Sequence, residues 1–64
     1  MCLSTVYKNE MVESAIVMKN VMQIQCKDGC VILTDLMDRQ VSIEGVLESA
    51  NLVDVYVIVK ETIS

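Results

Sequence analysis

Histidine is absent from this 64-residue chain. That removes the usual general base near neutral pH and the commonest side-chain ligand for transition metals. Proline is absent too, glycine occurs only twice, and no low-complexity segment, repeat or linker divides the sequence. A single domain over residues 1–64 is therefore expected. Phe and Trp are missing, which leaves Tyr7 and Tyr56 as the only rings able to stack on a base. No apolar run approaches the roughly 18–20 residues of a membrane span. No basic segment followed by an apolar stretch opens the chain, as a secretory signal would. Positive charge is sparse as well: Lys8, Lys19, Lys27, Arg39 and Lys60 face nine carboxylates, for a net charge of −4. Nucleic-acid binding draws most of its affinity from Lys and Arg neutralising phosphates, so RNA and DNA are poor candidates for partners. Three cysteines, an odd number, in a chain without a signal segment point to the cytoplasm, where thiols stay reduced.

Catalytic machinery is equally scarce. There is no Gly-rich phosphate loop and no Ser or Cys paired with a base. Glu10, Glu13, Asp35, Asp38, Glu44, Glu48, Asp54 and Glu61 sit in solvent-type positions, with Asp28 in a turn. Charged residues are mostly exposed, so these read as a solvated acidic surface. The expectation is a protein that is not an enzyme.

What the chain does have is aliphatic bulk: eleven Val, six Ile, five Leu and five Met. Twenty residues are β-branched once the three Thr are included, and such side chains favour a pleated surface over a helix. A chain this short buries only about 60% of the surface that its unfolded form exposes. The apolar surface left over marks an association site, and a homodimer is expected.

The pattern predicts an all-β fold. Residues 3–7 alternate as a first strand and Lys8–Asn9–Glu10 reads as a turn. Residues 11–18 half-fit a helical stripe behind an Asn9 cap, but the stretch is short and Lys19–Asn20 breaks it; it is read as a strand. Met22, Ile24 and Cys26 alternate with Gln23, Gln25 and Lys27, a half-buried strand signature. Asp28–Gly29 is a type I′ hairpin dipeptide, and residues 31–36 form the return strand. A turn at Met37–Asp38 leads into residues 39–44. Gly45 interrupts an apolar run, as a barrel corner requires. Val53, Val55, Val57 and Val59 then make the strongest alternation in the chain. About six short strands with tight turns point to a small SH3-like barrel or roll.

Cys26 and Cys30 have the C-x₃-C spacing of half a metal knuckle, but structural zinc needs four ligands. A two-residue Asp28–Gly29 loop sets Lys27 opposite Cys30 and Cys26 opposite Val31, so the two thiols point to opposite sides of the sheet. They read as ordinary residues, Cys26 as a buried small hydrophobe. Cys2 differs in kind, because it lies beside the terminal amine. If Met1 is removed, the Cys2 amine and thiolate close a five-membered chelate, to which the Leu3 amide could add a donor. If Met1 stays, its amine, the deprotonated Cys2 amide and the thiolate form two fused rings. Either N,S donor set suits square-planar Ni(II) or tetragonal Cu(II) far better than Zn(II). Without further support, Cys2 would read as a plain first-strand residue.

The opening Met1–Cys2–Leu3–Ser4–Thr5–Val6–Tyr7 resembles the start of the CooT family, nickel-binding accessory proteins of carbon monoxide dehydrogenase maturation. The likeness continues through Asn20–Val21, Val31–Ile32–Leu33–Thr34–Asp35–Leu36, Ile43–Glu44–Gly45 and Asn51–Leu52–Val53. The resemblance implies an SH3-like barrel, a homodimer, and one Ni(II) held at the dimer interface by Cys2 of each subunit. It carries over Cys2 alone as a ligand, not Cys26 or Cys30. The leading expectation is thus a metallochaperone for carbon monoxide dehydrogenase. The competing expectation is a metal-free β-barrel interaction module, and an RNA-binding barrel ranks last.

Overall fold

The computed structural model describes residues 3–62. Five strands form a closed barrel: β1 (Ser4–Lys8), β2 (Ile16–Lys27), β3 (Cys30–Asp35), β4 (Gln40–Asn51) and β5 (Tyr56–Glu61). Neighbours along the chain pair antiparallel, and a parallel β1–β5 ladder closes the ring. The fold is the small all-β, SH3-like roll expected, with five strands instead of six.

The lost strand has a physical cause. β1 ends at Lys8, where Asn9 turns the chain at φ 70°. Residues 11–15 then have no strand beside them to complete a ladder, and a strand there would leave its N–H groups unpaired. They form a single 3-10 turn, Glu13–Ala15, instead. The strand expected over residues 11–18 thus begins only at Ile16, opposite Tyr7, and does not stop at Met18. It runs on through Asn20, at φ 56°, into the Met22–Cys26 alternation. Its first half pairs with β1 and its second with β3.

β4 behaves in the same way. Residues 40–44 pair with β3, and Gly45 begins the pairing with β5. A Cβ at position 45 would collide with the Lys60 carbonyl oxygen and lie 3.0 Å from Cα of Glu61. Only glycine lets the two backbones approach this closely where β4 changes partner. At the other hairpin, Asp28 (φ 50°) and Gly29 (φ 79°) form the expected turn, with Lys27 opposite Cys30 and Cys26 opposite Val31.

The core is wholly aliphatic: Val6, Val21, Val31, Leu33, Ile43, Val57 and Val59, with Val17, Met18, Ile24 and Val41 packed against it. Val57 and Val59 supply the inward face of β5 as the alternation predicts. Val53 does not join them. The strand starts only at Tyr56, and Val53 is 89% exposed. The Asn51 side chain caps a turn here, and Val55 takes a positive φ of 56°.

Candidate metal centre

Cys2, the predicted ligand, lies outside the described residues. The structure does describe where the chain enters the barrel. Ser4 sits opposite Val21 of β2, Thr5 lies beside Tyr56 of β5, and the Thr5 N–H donates to the Val55 carbonyl oxygen at 3.2 Å. Val21 in turn pairs with Asp35. The first residues of β1 therefore emerge at the end of the barrel built from Val21, Asp35 and the Asn51–Tyr56 turn.

Some of the exposed large hydrophobic side chains lie along these same segments, and others, such as Met11, Val12, Val46 and Leu47, lie elsewhere. Met22 follows Val21, Leu36 follows Asp35, and Leu52 and Val53 belong to the turn. Leu52 is 87% exposed, close to Val53, and Leu36 and Met22 are exposed as well. Leu36 is tied down by its N–H, which donates to the Asn20 carbonyl at 2.9 Å. Surface of this kind is what an association interface would cover.

Asp35 departs from the sequence expectation. It is buried, 2% exposed, not part of a solvated acidic surface. Its Oδ1 accepts the backbone N–H groups of Met37 and Arg39, both at 2.9 Å, and its Oδ2 accepts Nε–H of Arg39 at 2.8 Å. The Arg39 backbone N–H, then the Arg39 side chain and the Met37 N–H, hold the carboxyl below its ordinary pKa of 3.8, against the upward push of burial. Three acceptor positions of this carboxylate are taken up by its own turn. The turn chemistry was available in the sequence, because an Asp that opens a turn bonds backbone N–H groups two or more residues on.

Cys26 and Cys30 occupy the far end of the β2–β3 hairpin, on opposite faces as expected. Cys26 is five residues along β2 from the Val21 partner of Ser4, roughly 15 Å at the rise of a strand. It is exposed and not the buried hydrophobe predicted, because its inward-facing register falls at the hairpin tip, where little protein covers it. Among the described residues no group of three His, Cys, Asp or Glu side chains converges.

Two grooves open on the surface of the described residues. One of about 340 Å³ runs past Lys8, Ser42, Glu44 and Glu61, and another of about 440 Å³ past Lys19, Asn20, Arg39 and Gln40. Lys8 and Glu61 pair at 3.4 Å in the first. Tyr7 and Tyr56, the two rings, pack edge to face with centroids 6.5 Å apart. No helix among the described residues is long and apolar enough to cross a membrane.

One family model matches the chain: CO dehydrogenase accessory protein CooT, over residues 1–60. No curated protein matches it.

Proposed function

The chain belongs to the CooT family of CO dehydrogenase accessory proteins, and from that premise we propose that it is a metallochaperone that carries Ni(II) on Cys2 at a homodimer interface for maturation of carbon monoxide dehydrogenase. The observation that carries this reading is the extent of the family match, which includes Cys2. The family is one of accessory proteins rather than catalysts, and the client named with it is a nickel enzyme.

The donor chemistry fits the cargo. A Cys2 thiolate with a neighbouring backbone nitrogen in chelating position would form the strong-field N,S set that low-spin Ni(II) prefers. A two-fold axis places the same residue on both sides of an interface, so one cysteine per chain is enough for a two-thiolate site. The exposed Met22, Leu36, Leu52 and Val53 along the segments beside β1 support an interface at that end of the barrel. The thiol must ionise to bind, so affinity falls on acidification. At this donor set Cu(II) binds more tightly than Ni(II) by the usual order. Delivery of nickel therefore depends on metal availability and on the partner.

Native mass spectrometry during Ni(II) titration tests the reading. One nickel per two chains is expected, accompanied by thiolate-to-metal charge-transfer absorption. One nickel per chain would contradict the shared site. A flat spectrum with no bound nickel would favour the metal-free interaction module, for which the nearly full exposure of Leu52 and Val53 also speaks.

A further inference from the structure

We propose that the groove between β2 and β4 at Lys19 and Arg39 is a docking site for an extended, carboxylate-bearing segment of a partner protein, which adds as a strand to the edge of β4 at Gln40 and Ser42. The inference stands on the barrel itself and is independent of the nickel reading.

Backbone groups of successive strand residues point to opposite edges, and three bonds fix that alternation along β4. The Arg39 carbonyl accepts the Asp35 N–H at 3.0 Å, and the Gly45 N–H donates to the Gly29 carbonyl at 2.9 Å. Residues 39, 41, 43 and 45 therefore face β3. The Glu44 carbonyl accepts the Thr62 N–H at 2.9 Å on the opposite edge. The β3–β4 register runs from Cys30–Glu44 to Thr34–Gln40 without a bulge. Gln40 and Ser42 thus send their N–H and C=O groups the same way as Glu44, away from β3. The β4–β5 ladder begins only at Gly45. Among the described residues, no strand pairs with that side of β4 at Gln40 or Ser42. An open edge of this kind is a template for another extended chain.

The groove of about 440 Å³ beside Gln40 and Val41 adds chemistry to that edge. Val17, Met18 and Val41, which pack against the core, give it an apolar lining. Lys19 and Arg39 line it against the single carboxylate of Asp35, so it is locally positive in a chain of net charge −4. Asp35 engages the guanidinium through Nε–H, and the Nη groups present the remaining donors in the planar fork that suits a carboxylate. The Arg39 side chain is exposed, so the fork is within reach of a ligand. Lys19 is exposed too, and among the described residues it forms no ion pair. An added strand gains main-chain bonds from β4 for affinity and a carboxylate contact for specificity. Charged side chains also guard open edges against pairing. A guarding role for Lys19 and Arg39 is the competing account, and it predicts no binding.

Two blocked pentapeptides serve as probes: threonine–valine–glutamate–valine–threonine and its counterpart with glutamine at the centre. Each is titrated at millimolar concentration into the full-length chain and followed by amide NMR shifts and hydrogen exchange. The glutamate peptide is expected to shift the amides of Lys19, Gln40 and Ser42 and to slow exchange at Gln40 and Ser42. It should bind about 5-fold more tightly than the glutamine peptide, the size of an exposed charge contact. Lys19→Glu, at an exposed position, should fold like the parent and bind the glutamate peptide about 5-fold more weakly. The comparison of the two peptides needs only the parent, so the test survives a variant that folds poorly. No shift with either peptide would overturn the proposal and leave the guarding role. Equal binding of the two peptides would overturn the carboxylate recognition. Inorganic phosphate forms the last arm. Shifts at Lys19 and Arg39 with phosphate, while neither peptide protects Gln40 and Ser42, would show a simple anion site and overturn the added strand. Protection elsewhere in the barrel in place of Gln40 and Ser42 would do the same.

Discussion

Asp35 and Arg39 close a turn on each other from both sides. The Asp35 N–H donates to the Arg39 carbonyl at 3.0 Å, while the Arg39 backbone N–H and Nε–H donate to the two Asp35 carboxylate oxygens. Because these bonds hold the folded-state pKa below 3.8, the folded protein keeps this carboxylate ionised to lower pH than the unfolded chain does. The stabilisation is complete above the unfolded value and is lost as pH falls through the folded one. Asp35→Asn should therefore be less stable than the parent at pH 7, with the difference shrinking below about pH 4. Urea unfolding at a series of pH values checks this; a gap that widened on acidification would contradict it.

Gly45 should not tolerate even one added methyl group. Its Cβ would meet backbone atoms of Lys60 and Glu61, which cannot swing aside as a flexible side chain could. Gly45→Ala is expected to cost about 1–3 kcal/mol, as overpacking does. The loss should appear as a lower urea midpoint.

Leu33 is fully buried between Ile24 of β2 and Val41 of β4. Leu33→Ala is expected to cost about 2–5 kcal/mol. A domain of this length has only about 3–10 kcal/mol in total, so the variant should be near its unfolding midpoint in plain buffer. Met11→Ala, at an exposed position, should stay within about 0.5 kcal/mol of the parent.

The exposed Cys26 thiol should react with a thiol reagent in the folded protein. Cys26→Ser should shift stability by no more than about 0.5 kcal/mol, and neither Cys26→Ser nor Cys30→Ser should change nickel affinity. A slow Cys26 reaction paced by global unfolding would show the hairpin tip to be covered.

Local patterns in the sequence were legible where they depend on neighbours in the chain. Asp28–Gly29 names its own turn, Met22–Cys26 and Val57–Val59 alternate in step with the barrel wall, and Gly45 marks the corner. What could not be read depends on long-range pairing. Residues 11–18 half-fit a helical stripe and are too short for a packed helix, yet residues 11–15 pair with no strand among the described residues, and Glu13–Ala15 form a 3-10 turn instead. Val53 and Val55 continue the β5 alternation on paper, yet the Asn51 side chain captures the backbone N–H groups of Val53 and Asp54 and turns the chain first. Asp35 read as solvated because its burial comes from the closure of β3 onto β4 around Arg39. The importance of Cys2 came from chelate chemistry and from family likeness, neither of which needs the fold.

Nickel titration of Cys2→Ser against the parent bears most directly on the central claim. A hydroxyl stays protonated at neutral pH where a thiol can ionise on binding. The variant is expected to fold like the parent, since the core of the described residues is built from Val6, Val21, Val31, Leu33, Ile43, Val57 and Val59. It is also expected to lose tight Ni(II) binding and the charge-transfer absorption together. Parent-like nickel affinity in folded Cys2→Ser would place the metal elsewhere and contradict the account.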